Sequence, residues 1–356
     1  EHRDRDDGRC VSPQASTRAL RDAGAVSLLL AIPACGGDDA PSALNPAGPE
    51  AERIAWLWWL MLALAGVVFV IVMGSLALGI LRRRPDRTQG GDPVPDTAEG
   101  DRLSPGDRRF MVGGGVLLPG VILTALGFLT VGAVDAVVEE EGDLVVEVEG
   151  VQFWWDVVYP DFDIRTANAV HIPTGRDVTL RLGSDDVIHS FWVPELAGKR
   201  DLVPGRTNTL VLRADEPGRY RGQCAEYCGL QHANMAFEVV ALPPEAFEAW
   251  VADWQDVPSP PDTAAARLGR RVFETSACAG CHTVRGTAAD GTLGPDLTDL
   301  ATRRWIGAGA APNDLGHLAG WVLDAQSIKP GALMPPVELD PAELDALLAY
   351  LATLRP

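Results

Sequence analysis

Residues 223–235 read Q-C-A-E-Y-C-G-L-Q-H-A-N-M, and the rest of the chain is organised around this stretch. Cys224 and Cys228 stand four apart, His232 follows four later and Met235 three after that, so thiolate, imidazole and thioether donors fall on one short loop. Donors this soft suit copper better than cations that prefer oxygen ligands. A mononuclear blue-copper site uses one Cys, a following His and a weak axial Met, with a second His from an earlier strand. Here the thiolate is doubled. Two thiolates can bridge two copper ions with one His terminal to each, and a second His lies upstream, His189 in D-V-I-H-S-F-W-V-P-E-L. A disulfide between Cys224 and Cys228, or half of a zinc site, are the alternatives, and both leave the His and Met spacing without a use.

The chain of 356 residues is long enough for two or three domains, and its formal charge of −19 argues against nucleic-acid binding. Of six cysteines, Cys224 and Cys228 belong to the copper loop, Cys278 and Cys281 to C-A-G-C-H, and Cys35 to I-P-A-C-G-G, a candidate lipidation site, with Cys10 upstream. No pair is left for a disulfide framework. Residues 1–35 read as an N-terminal extension and signal peptide, because arginines precede a short apolar run that ends in small residues before Cys35.

Residues 36–135 are expected to form a transmembrane helical hairpin, with helices near 54–81 and 110–134. The first is about 28 residues without a charge, more than the ~20 needed to cross a bilayer. Trp56, Trp58 and Trp59 cluster at its start as an interfacial belt would. Arg82, Arg83, Arg84, Arg87, Arg108 and Arg109 flank the intervening loop, which the positive-inside rule makes cytoplasmic, leaving both chain ends external.

From residue 143 the pattern becomes strand-like: Leu144, Val146 and Val148 alternate with Glu147 and Glu149, and further runs begin at Val178, Thr209 and Ala236. Residues 136–255 therefore predict an all-β Greek-key sandwich or barrel whose end loops bring His189 beside the cysteine loop. Between 135 and 262 there are 24 acids and 9 basic residues, a formal −15 that is mostly solvated surface and would attract a basic donor.

Residues 256–262, D-V-P-S-P-P-D, read as a semi-rigid linker into an all-α domain at 263–356. C-A-G-C-H is the c-type haem attachment signature: Cys278 and Cys281 form the thioethers and His282 ligates iron. Met334 in G-A-L-M-P-P is the expected sixth ligand. The closing helix starts at Asp340 with Pro341 and Glu343 as start signals, and Leu344, Leu347, Leu348, Leu351 and Leu354 share one face. His171 and His317 are read as surface or supporting histidines.

Together, Q-F-W-W-D from Gln152, H-S-F-W-V-P-E-L from His189, G-K-R-D-L-V-P-G-R-T-N from Gly198 and the cysteine loop resemble subunit II of the haem-copper cytochrome c oxidases. The C-terminal domain resembles a class I cytochrome c, which points to the branch with a cytochrome c fused to subunit II. The resemblance implies a cupredoxin-like domain holding dinuclear Cu-A through His189, Cys224, Cys228, His232, Met235 and the Glu226 carbonyl, and a Glu226 side chain reaching a magnesium ion at the subunit I boundary. It also implies electron input through an aromatic of the Phe153, Trp154, Trp155 cluster. The first position is commonly Trp in the family and is Phe153 here. Many subunits II carry a carboxylate about two turns before the position of Pro119; Met111, Val112 and glycines stand here instead, so that role is not transferred.

The implied function is electron input to an oxidase in a bacterial cell membrane, with both redox domains on the periplasmic side. Subunits I and III are the implied partners, and a cytochrome c or a cytochrome bc-type complex the donor. The Cu-A subunit of a nitric-oxide reductase and a copper-delivery protein are the alternatives; the second has no use for Met235, the haem domain or the second membrane helix.

Overall fold

The computed structural model describes residues 41–82, 104–135, 142–256 and 258–356. The signal peptide, Cys10, the lipidation expected at Cys35, and Arg83, Arg84 and Arg87 lie outside the described residues.

Helix α1 (Pro49–Arg82) is long and apolar enough to cross a membrane, as is the span Arg108–Gly132. That second span is built from α2 (Pro105–Val112), a π-helical turn at Gly113–Leu117, and α3 (Leu118–Asp135). Met61, Leu64, Val68 and Val72 of α1 line a groove with Ile122 and Leu126 of α3. Side chains such as Val70, Val121 and Phe128 face outward, as lipid-facing residues must. The 34 residues of α1 extend about 51 Å at ~1.5 Å per residue, against an apolar bilayer thickness of about 30 Å. Part of the excess is taken up at its start, where Ala51 and Ala55 are buried and the Ala51 amide donates to the Leu196 carbonyl at 3.3 Å. The helix thus begins against the loop that follows His189, tying the β domain to the first apolar helix.

The β domain is a sandwich of two sheets. One has the order β3-β2-β1-β5-β8, formed by β1 (Leu144–Val151), β2 (Trp154–Tyr159), β3 (Ile164–Ala167), β5 (Val178–Ser184) and β8 (Asn208–Leu212). The other has the order β4-β10-β9, formed by β4 (Ala169–Pro173), β9 (Gly218–Gln223) and β10 (Ala236–Leu242). A two-stranded pair, β6 (His189–Phe191) and β7 (Arg200–Leu202), lies apart from both. β1 runs parallel to β5 and β10 parallel to β4, while the other pairs are antiparallel. The alternation read from the sequence holds: Leu144, Val146 and Val148 are buried and Glu147 is exposed. Trp155 is fully enclosed, its ring 4.8 Å from that of Phe237 and 5.9 Å from that of Phe191. α4 (Pro244–Gln255) follows β10, and its Trp250 stacks on His171 at 4.5 Å. Burial pushes the His171 pKa down to about 4, so at neutral pH this histidine is an uncharged supporting residue.

The C-terminal domain is helical. α5 (Ala264–Thr275) is capped by the Thr263 hydroxyl, α6 (Cys278–Cys281) is a single turn, and α7 (Leu315–Leu323) and α8 (Ala325–Ile328) are capped by Asp314 and Asp324. α9 (Pro341–Leu351) opens with the capping box expected at Asp340 and Glu343. It stops before Leu354, which is buried all the same. β11 (Trp305–Ile306) and β12 (Ala311–Pro312) form a short ribbon. α5 and α9 cross in contact at Gly269, where an added Cβ would overlap the Ala346 carbonyl.

The β domain and the helical domain are joined by more than the linker. Thr166 Oγ1 donates to Asp299 at 2.7 Å, Trp305 Nε1 to Glu238 at 3.1 Å, and Arg285 to the Trp254 carbonyl. Arg304 lies 3.5 Å from Glu238, and the Ala236 amide donates to the Ala308 carbonyl at 2.9 Å. The described residues from 41 onward belong to one compact unit.

Candidate metal centres

The cysteine loop is the connection between antiparallel strands β9 and β10. Its ends are held together by the pairing of Gln223 with Ala236 and by the Cys224 amide, which donates to the Met235 carbonyl at 3.0 Å. The His189 strand is stitched beside it: the Ala225 amide donates to the Ser190 carbonyl and the Gln223 amide to the Trp192 carbonyl, both at 3.0 Å. Backbone hydrogen bonds therefore bring together residues that are 35 positions apart.

His189, Cys224 and Cys228 are buried, and their ligand atoms lie within 4.8 Å of one another. Cys224 Sγ is 3.9 Å from His189 Nδ1 and 3.3 Å from the Glu226 carbonyl. Cys228 Sγ is 3.8 Å from His232 Nδ1 and 3.8 Å from Met235 Sδ. The two sulfurs are 3.9 Å apart, far beyond the ~2.05 Å of a disulfide, and both cysteines are free. Each sulfur thus has its own imidazole, which is the arrangement two bridged metal ions would use. The two cysteines share charge: a hydrogen bond from Cys228 is the main cause of the depressed Cys224 pKa, and the same contact with burial pushes Cys228 up. A metal held by both sulfurs would displace their protons.

Two orienting residues were not legible as such in the sequence. Asp186 accepts from His189 Nε2 at 2.8 Å, which turns Nδ1 toward the sulfurs, and it also accepts from the Gln152 amide at 2.6 Å. Gln152 Nε2 donates in turn to the Cys228 carbonyl. Burial opposes ionisation of Asp186, but hydrogen bonds from His189, Val187 and Gln152 outweigh it and hold the carboxyl below its usual range. Burial likewise disfavours the His189 imidazolium, and Cys224 and Asp186 more than offset it. The only sequence signal was an Asp three residues before the His in D-V-I-H.

Of the aromatic cluster, Trp155 is core and its Nε1 lies 3.4 Å from the Met235 carbonyl. Phe153 is buried and Trp154 half-buried.

In the helical domain, Cys278 and Cys281 are free and half-buried at the two ends of α6. His282 Nδ1 donates to the Pro295 carbonyl at 2.8 Å, which leaves Nε2 for a metal. Burial lowers the His282 pKa, keeping the ring neutral and able to ligate. Met334 lies in the connection between α8 and α9, its carbonyl accepting from Gln326 at 3.3 Å. Leu293 and Leu333, on the loops carrying the two axial candidates, are 78% and 82% exposed, apolar surface of the kind a porphyrin would cover. His317 is exposed and bonded to Asp314, apart from this group.

Two family models match the chain. Residues 163–242 match the cytochrome c oxidase subunit II periplasmic domain, and residues 266–355 match cytochrome c. Cytochrome c oxidase subunit 2 of Alkalihalophilus pseudofirmus is 34% identical over 92% of this chain and 95% of its own length. The chain belongs to the cytochrome c oxidase subunit 2 family. It is thus a subunit of a haem-copper oxidase, with a copper domain and a haem c domain in one polypeptide. Quinol oxidase subunit 2 of Bacillus cereus is 32% identical over 65% of this chain and 78% of that protein. Among solved structures, the periplasmic domain of subunit II of cytochrome oxidase from Bradyrhizobium japonicum is 28% identical, with a TM-score of 0.31, covering 32% of this chain and 94% of that one.

Proposed function

We propose that this subunit receives electrons from an external cytochrome at haem c and passes them through a dinuclear Cu-A centre to the haems of subunit I, where oxygen is reduced to water. The observation that carries this reading is the doubled thiolate, Cys224 and Cys228 at 3.9 Å, with one imidazole beside each sulfur. When bound, such a centre delocalises one unpaired electron over two coppers and so transfers it with little rearrangement. His189 and His232 would ligate the metal beside the two sulfurs, Met235 and the Glu226 carbonyl would be weaker donors, and Asp186 with Gln152 fixes the His189 ring. Cys278 and Cys281 would hold the haem covalently, with His282 and Met334 as axial ligands. The Glu226 side chain would reach magnesium at the subunit I boundary.

The arginines of the intervening loop favour an anchor in the bacterial cell membrane with both redox domains on the periplasmic side. Subunits I and III are the expected neighbours, and the donor is a cytochrome c or a cytochrome bc-type complex. A quinol donor is disfavoured by the haem-attachment motif and the cysteine pair, neither of which quinol oxidation would use. Electron paramagnetic resonance of the purified oxidase tests the reading: hyperfine coupling to two equivalent coppers is expected, and single-copper coupling in metal-replete protein would refute it.

A further inference from the structure

The chain has 30 basic residues, and only Lys199 and Lys329 are lysines. Lys329 follows α8 in the haem domain and is 2% exposed. Its ammonium donates to three backbone carbonyls, each at 2.7 Å: Phe153 on the aromatic segment, Asn234 on the cysteine loop, and Gly307 in its own domain. An ammonium has three donors, and all three are used. The next residues continue the contact. Residues 329–332, K-P-G-A, form a turn in which the Ala332 amide donates to the Lys329 carbonyl at 3.1 Å, with Pro330 and then Gly331 at φ +88° in the central positions. This is the geometry for which Pro followed by Gly is suited. The turn presents the Pro330 carbonyl to Gln231 Nε2 at 2.7 Å.

Gln231 directly precedes His232, and Asn234 directly precedes Met235. Two consecutive residues of the haem domain thus bond to the immediate neighbours of two copper-ligand candidates. On the other side, Gln326 donates to the Met334 carbonyl at 3.3 Å and accepts from the Gly331 amide at 2.8 Å, linking the same turn to the axial-ligand candidate of the haem. Burial pushes the Lys329 pKa down to about 7 and Cys228 opposes that shift, while the three carbonyls favour the protonated form whose N–H groups they accept; among the described residues no carboxylate bridges Nζ. The contacts of the ammonium are short-ranged and enclosed, so salt screens them little.

We propose that Lys329 is the positioning residue that fixes the haem domain on the copper loop, so that electrons cross at a permanent junction instead of by repeated encounters of a tethered partner. This rests on the electron route proposed above. An arginine would not substitute, because its planar fork cannot direct three donors at carbonyls converging on one point.

The test uses the whole oxidase with Lys329→Met and Lys329→Arg, and with Gln231→Ala as a milder variant that removes the bond to Pro330 and the Asn234 Nδ2 donation to Gln231 Oε1 at 2.7 Å while leaving the three bonds of Lys329 in place. Hydrogen exchange at the Ala236 amide reports the junction directly, since its partner is the Ala308 carbonyl across the interface. Both Lys329 variants should exchange there at least about tenfold faster, with Gln231→Ala in between. Rapid-mixing kinetics should show haem c reduced by the donor at the wild-type rate. The following haem-to-copper step should be at least about tenfold slower and newly sensitive to viscosity and salt, as a gated encounter is. Haem and copper content and spectra should not change, which a general loss of fold would not allow. Wild-type exchange in the Lys329 variants, or faster exchange with an unaltered haem-to-copper step, would overturn the proposal. If wild-type copper were not reduced through haem c at all, the electron route would fail, and the exchange measurement would still decide whether Lys329 holds the domains together.

Discussion

Gly150 shows how narrowly one position is determined. It lies in β1 with the His189 ring against it, and a Cβ added there would come within 2.7 Å of Cδ2 and 2.8 Å of Cγ. Neither side can give way freely: the ring is held by Asp186 at its far nitrogen, and β1 is paired on both edges. Gly150→Ala should therefore rotate His189 away from the sulfurs. Metal titration of the variant should show copper affinity lowered at least about tenfold, the scale at which orienting contacts act, with the β-sheet circular dichroism retained. Unchanged copper affinity would mean that the ring can move without cost. The same logic explains why Asp186 and Gln152 were missed from the sequence. Their importance lies in an atom-to-atom chain from His189 to the Cys228 carbonyl, and a carboxylate or amide in a polar loop carries no periodic signal of it.

Among the helices, the start of the closing one was legible, because its signal is local: Asp340 accepts from the first-turn amide of α9. The structure adds Thr263, Asp314 and Asp324, which cap α5, α7 and α8 in the same way. What the signals could not give is which helices touch. α5 and α9 meet where Gly269 admits the backbone of α9, and an alanine there would overlap the Ala346 carbonyl and approach Tyr350 Cβ at 2.8 Å. Gly269→Ala should cost about 1–3 kcal/mol through forced separation of the pair. Thermal unfolding followed at the haem absorbance should show an earlier transition in the helical domain. A transition at or above the wild-type temperature would show that the crossing relaxes freely. The strands were legible by alternation, but the parallel pairing of β1 with β5 and of β10 with β4 was not, because pairing partners are chosen by the closed sandwich and not by either strand alone.

For the whole molecule, charge and connection act at different steps. The segment 135–262 carries a formal −15, whereas 263–356 has 10 acids and 8 basic residues and is nearly neutral. Long-range attraction between the two is slight, and the short Pro-rich linker already holds them at an effective concentration of the order of millimolar. The hydrogen-bonded interface goes further and removes the search. We therefore expect the fused haem to be an obligatory relay. Donor-driven reduction of haem c by a separate basic cytochrome should slow steeply as salt screens the acidic field, while transfer from haem c to copper changes little. Stopped-flow spectroscopy at varied ionic strength separates the two steps. Copper reduced before haem c, or donor-driven turnover surviving Cys278→Ala with Cys281→Ala, would place the haem off the main route.

The sequence by itself determined the membrane helices, the alternating strands, the haem-attachment motif and the donor types of the copper loop. Each of these is carried by residues close together in the chain: an uninterrupted apolar run, a period of two, or ligands within a dozen positions. Tertiary structure decided the rest. It brought His189 to the cysteines through strand stitching, chose Asp186 and Gln152 to orient it, and placed Lys329 among carbonyls from Phe153, Asn234 and Gly307. One of two lysines in an arginine-rich chain was a faint sign, but nothing local says where its ammonium ends. Backbone carbonyls look the same at every position in a sequence, and only the fold makes three of them converge.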